Sequence, residues 1–132
     1  MLEWNWRADG PANLRRSVYR FVFRTVPDPL MQALDCPDAS QLAPRRETSA
    51  TALQALAMLN NRFLVRQSQH IATSLTKSQP DLGAQINELF LRAYGRPATP
   101  DERKQITTYA THHGLVNACR VILNSSEFLF VY

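Results

Sequence analysis

Two pairs of adjacent arginines, Arg15-Arg16 and Arg45-Arg46, are the residues of this 132-residue chain best suited to hold an anion. A guanidinium presents a planar fork of donors that fits a sulfate, a phosphate or a sugar carboxylate. The plainer reading pairs the same arginines with Asp35, Asp38, Glu47 or acids on a neighbouring domain, since surface ion pairs are common. Arg96 and Glu127 are the second candidate. Arg96 directly follows Gly95, which is placed to end a helix, and Glu127 opens the tail. A buried Arg96–Glu127 ion pair would pin that corner to the last helix. The sharper alternative makes Glu127 a general acid or base, but such a group wants a second titratable partner with a separated pKa. No partner can be named from the sequence, so the structural role is preferred.

His70 with His112-His113 could ligate a metal. Adjacent helical residues point about 100° apart and rarely share one ion, and the further ligands a structural zinc needs are missing. The position of His112-His113 just before Gly114 suits a helix C-terminus instead. Cys36 and Cys119 are the only cysteines. They form no Cys-x-x-Cys or haem-attachment motif. Cys119 sits in an apolar helical stretch as a small core residue. Cys36 lies in the turn-like Asp35-Cys36-Pro37-Asp38, and whether the two are bridged is left open. Ser17, Ser49 and Ser125 have no nucleophile-elbow context, and four glycines form no phosphate loop. Trp4, Trp6 and the Tyr19/Phe21/Phe23 face would stack on sugars if exposed, but suit a core or domain interface better.

The charge balance narrows the partners. Fifteen basic residues against eleven acids give +4. Thirteen of the fifteen are arginine and only Lys77 and Lys104 are lysine. Nonspecific phosphate binding needs charge more than a fork, so nucleic-acid binding is disfavoured. Apolar residues make up 45% and charged residues 20%, the balance of an ordinary globular chain with room for one core. No apolar run reaches the roughly 18 residues of a membrane span. The opening Met1-Leu2-Glu3-Trp4-Asn5-Trp6 lacks the features of a signal peptide.

The elements that must position these residues follow from period and punctuation. Residues 15–26 are rich in β-branched and aromatic side chains and read as a strand, with a helix as runner-up. The tail Phe128–Tyr132 is the other strand-like segment, so the two could pair. Otherwise residues 15–26 pair with part of a longer protein, and the chain is a fragment. Residues 27–47 are broken by Pro27, Pro29, Pro37 and Pro44, with Leu30–Leu34 able to form one helical turn. From residue 49 the chain is helical. Ser49 is the first N-cap, with Thr48 as alternative, and Asn60 or Asn61 caps the next helix. Leu53, Leu56 and Ala57, then Asn60, define one face of the first helix. Pro80-Asp81 starts another helix that ends at Gly95. Thr99-Pro100-Asp101-Glu102 is the clearest local signal, with Thr99 as N-cap, Pro100 at N1 and Glu102 closing a capping box. That helix ends at Gly114, and a last one runs from about Leu115 to Asn124.

Five strings in order resemble a known family: Arg15-Arg16-Ser17-Val18-Tyr19; Pro44-Arg45-Arg46; Ser49–Leu56 running on to Leu59-Asn60-Asn61; Gly95-Arg96-Pro97; and Leu123–Leu129. Together they resemble the C-terminal end of the planctomycete-type domain of unknown function 1553. The resemblance spans nearly everything from residue 15 to 132. It implies a module from the C-terminus of larger exported or periplasmic proteins, which often carry an N-terminal cytochrome c-like domain. Haem c would then belong to the relatives' missing N-terminal domain, and this chain holds no cofactor. It implies no established reaction. Relatives often have Pro near position 62, where this chain has Arg62.

The expectation is a mainly α chain. An irregular bundle of four to five helices fills residues 49–132. An N-terminal arm, residues 1–48, carries one strand and the Pro-rich connection. The expected function is a noncatalytic structural or docking module whose partners are other domains of a longer parent. The alternatives are a fragment of a hydrolytic or redox enzyme of polysaccharide breakdown, supplying arginines to a site completed elsewhere, and an Arg-rich nucleic-acid binder.

Overall fold

The computed structural model describes Leu30, Met31, Leu34 and residues 52–130. The strand over 15–26, most of the Pro-rich connection and the cap Ser49 lie outside those residues. Among residues 52–130 six helices run in order: α1 (Ala52–Asn60), α2 (Arg62–Ser78), α3 (Leu82–Tyr94), α4 (Pro100–His113), α5 (Leu115–Leu123) and α6 (Ser126–Leu129). No strand occurs among the described residues. The protein is a helical bundle, with one short helix more than the four to five expected.

Contacts divide the chain into two compact units, residues 1–63 and 64–132. In the first, Leu30 and Met31 are helical and the Leu34 N–H donates to the Leu30 carbonyl at 3.0 Å. α1 is apolar almost all round, and only Met58 is buried. The side chains of Leu53, Leu56 and Leu59 are 70%, 58% and 45% exposed.

In the second unit, α4 packs against both α3 and α5. Ala72 and Leu75 of α2, Ile86, Leu89 and Phe90 of α3, Ala110 of α4 and Ala118, Cys119 and Ile122 of α5 form one buried cluster. Helical spacing places these apolar positions on the inward faces. Ser68 is fully buried on α2, where its hydroxyl donates to the Leu64 carbonyl at 2.8 Å. That back-bond satisfies a group whose burial would otherwise be costly.

Local chemistry sets the helix ends. Asn61 accepts the Phe63 N–H at 2.9 Å, so Asn61 caps α2. Asn60 instead closes α1, and its side-chain amide donates back to the Leu56 carbonyl at 3.1 Å. Asp81 caps α3 by accepting the Ala84 N–H at 2.9 Å. Gly95 ends α3 at φ 72°, a left-handed conformation that glycine adopts without penalty.

The tail departs from expectation. Its first residues, Phe128 and Leu129, are helical rather than extended. Ser125 precedes them and its hydroxyl accepts the Phe128 N–H at 3.3 Å. A cap that satisfies a backbone donor outweighs the β-propensity of aromatic side chains here. Phe130 returns to extended backbone, and residues 131–132 lie outside the described part.

Candidate functional site

The densest polar arrangement among the described residues surrounds Arg96. Three local devices put it there. Gly95 turns the chain at the end of α3 and its N–H donates to the Leu91 carbonyl at 3.0 Å. Asn87 of α3 accepts the Ala98 N–H at 3.2 Å and holds the connection down. Thr99 then starts α4 with a complete capping box. Its hydroxyl accepts the Glu102 N–H at 3.3 Å, and its own N–H donates to Glu102 Oε2 at 2.8 Å.

The capping box turns the Glu102 carboxylate back toward Arg96. Arg96 Nη1 and Nη2 donate to Glu102 Oε2 and Oε1 at 2.9 and 2.8 Å. On its other side, Nε and Nη2 donate to Glu127 Oε1 and Oε2 at 2.7 and 2.8 Å. Nη1 also donates to the Pro97 carbonyl at 3.3 Å. A guanidinium has five N–H groups, and these five bonds use all of them. The guanidinium carbon lies 5.6 Å from the Phe90 ring centre and 5.5 Å from that of Tyr94. Both rings are within reach of a cation–π attraction. Phe90 and Tyr94 meet edge to face at 5.1 Å.

The Arg96–Glu127 pair was expected to be buried. The Arg96 and Glu127 side chains are instead 36% and 47% exposed. Glu127 sits in the first turn of a four-residue helix at the surface, so solvent reaches it. Composition gave no sign that Glu102 would be a second partner. The readable signal was position: an N3 glutamate that folds back on its cap meets whatever lies just before that cap.

Electrostatics agree with this geometry. The Arg96 guanidinium, followed by the Thr99 N–H, lowers the Glu102 carboxyl from 4.5 to about 2. Arg96 is raised by its bonds to Glu102 and then Glu127. Burial, more than any neighbour, raises the Tyr94 hydroxyl. Tyr94 and Ser125 hydroxyls lie 2.7 Å apart. Ser125 donates its only proton to the Ile122 carbonyl at 2.7 Å, so Tyr94 is the donor between them. That leaves Ser125 with a structural bond pattern and no adjacent base to activate it.

The arrangement therefore braces the Gly95 corner, the start of α4 and α6 against one another. The guanidinium offers no N–H beyond those bonds for an incoming anion. The other sites are less developed. Arg15, Arg16, Arg45, Arg46, Ser49 and Cys36 lie outside the described residues. His112 and His113 occupy the last turn of α4. The His113 ring packs on Tyr109 at 4.5 Å and stands 6.5 Å from that of His112. His70 lies on α2, along an open depression with Thr73, Ser74, Lys77 and Ser78. No group of three or more His, Cys, Asp or Glu able to hold a metal occurs among the described residues. No helix among them is long and apolar enough to cross a membrane.

A family model described as "Protein of unknown function (DUF1553)" matches residues 3–110. That stretch takes in Arg96 and Glu102 and stops before α5 and Glu127. No curated protein and no solved structure matches the chain.

Proposed function

The chain belongs to the DUF1553 family of proteins of unknown function, and from that premise we propose that it is a noncatalytic docking module. Its braced second unit is the scaffold, and an apolar face on α1 is the contact surface. The parent would be a larger exported multidomain protein in which this chain forms the C-terminal end. The observation that carries the reading is the exposure of Leu53, Leu56 and Leu59, at 70%, 58% and 45%. They fall at i, i+3 and i+6, along one side of a nine-residue helix. A contiguous apolar face on a soluble chain marks a surface that another body covers. The Arg96 cluster supports a scaffold role, because its donors are committed to two carboxylates and a carbonyl of the same chain.

The test is a double variant, Leu53→Asp with Leu56→Asp, in the full chain. If the face serves docking, circular dichroism and the urea midpoint stay at wild-type values, as for surface substitutions. A drop of more than about 2 kcal/mol would mean that both leucines pack inside this chain, and the reading would fail.

A further inference from the structure

Residues 48–80 contain no aspartate or glutamate, while Arg62, Arg66 and Lys77 lie among them. The exposed leucines of α1 fall inside this acid-free run. Arg62 is exposed in the first turn of α2, one residue past the cap Asn61, and that turn holds no acid. A helix N-terminus carries partial positive charge from its unpaired N–H groups. A cation there is locally disfavoured, and a carboxylate brought from outside would meet both the helix end and the guanidinium.

We propose that the α1 face seats an acidic amphipathic segment of a protein partner. Leucine-like side chains of that segment cover Leu53, Leu56 and Leu59, and its carboxylates meet Arg62. This rests on the docking reading and adds the partner's chemistry to it. A second copy of the chain fits less well. The α1 segment of a second copy brings no carboxylate to meet Arg62, because residues 48–80 hold no aspartate or glutamate. An apolar stripe with Arg62 just beyond its end suits recognition of an amphipathic helix, with partner apolar residues spaced three or four apart.

The experiment selects short random peptides on the immobilised full chain and removes those retained by Leu56→Asp. The expected winners carry net negative charge with apolar residues at helical spacing. They bind Leu56→Asp at least about tenfold more weakly. Arg62→Glu shifts the selection away from acidic sequences. If neutral or basic peptides win and still need Leu56, docking stands and the acidic partner is wrong. If the wild type retains nothing that Leu56→Asp does not, both ideas fall. Concentration-dependent self-association abolished by Leu56→Asp would make the occupant a second copy and overturn the proposal. Leu56-dependent binding to phosphatidylserine vesicles would make it a lipid surface and overturn it too. If Leu56→Asp loses its helicity, Leu53→Glu, at the most exposed of the three α1 leucines, replaces it.

Discussion

Arg96 shows how one side chain can be too well satisfied to do chemistry. Its planar fork meets two carboxylates edge on, which a lysine ammonium could not reproduce. Isolated surface ion pairs contribute little, but a shared bidentate network with fixed geometry is the exception. The Glu102 side of the network has a pH signature. Its carboxyl is lowered from 4.5 to about 2, so its contribution to stability is complete above pH 4.5 and is lost as the pH falls toward 2. Glu102→Gln keeps the capping-box geometry and removes the charge. The expected result is a lower melting temperature than wild type at pH 7, a gap that narrows below pH 4.5 and closes near pH 2. Thermal melts across that range by circular dichroism read it directly, and a gap independent of pH would contradict the charged role. The Arg96–Glu127 contact was legible in the sequence, because a residue after a helix-ending glycine must point somewhere and the tail offered an acid. Glu102 was not, because its role as a cap already explained it.

Helix ends were the most legible elements, because capping chemistry is local. Thr99, Asp81 and Gly95 each satisfy backbone groups that any helix there would leave open. The tail was misleading for the converse reason. Its aromatic side chains favour a strand, but Ser125 offers a cap before they can act on their preference. α1 carried no readable orientation. With Ala, Leu and Met on nearly every side, periodicity cannot say which face is covered, and Met58 is the buried residue. The two glycine corners make a quantitative comparison. Gly95 has φ 72° and ψ 9°, while Gly114, which closes α4 and opens α5, has φ 85° and ψ 153°. An added Cβ meets nothing within 4 Å at either site, so the cost of alanine is backbone strain alone. The left-handed region costs alanine about 1–2 kcal/mol. The conformation at Gly114 is close to glycine-only and costs as much as about 3 kcal/mol. Urea unfolding should place Gly114→Ala below Gly95→Ala, with Gly95→Asn recovering part of the loss. The reverse order would mean that the α4–α5 corner relaxes.

At the scale of the molecule, the second unit has one core, and α1 belongs to the first unit. Cys119 reports on that core. It is a free thiol with no exposed surface, and burial raises it from 9.0 to about 11. The reactive species is the thiolate, which is scarce at pH 8 and out of reach of solvent. Labelling with iodoacetamide at that pH must therefore pass through unfolding of the unit. Leu75 belongs to the same cluster and is fully buried. Leu75→Ala removes three carbon atoms from a site with little room to collapse and is expected to cost about 2–5 kcal/mol. Each 2 kcal/mol raises the open population about thirtyfold, so Cys119 labelling should accelerate by at least that factor in Leu75→Ala. Leu56→Asp, on the exposed face of α1, should leave the Cys119 rate at the wild-type value. Mass spectrometry of the separate Cys36 and Cys119 peptides resolves the two sites. Rapid labelling of Cys119 in the native chain would show that the core opens without unfolding. An accelerated rate in Leu56→Asp would place α1 in the same cooperative unit as Cys119, and its leucines could no longer be read as a surface kept for a partner.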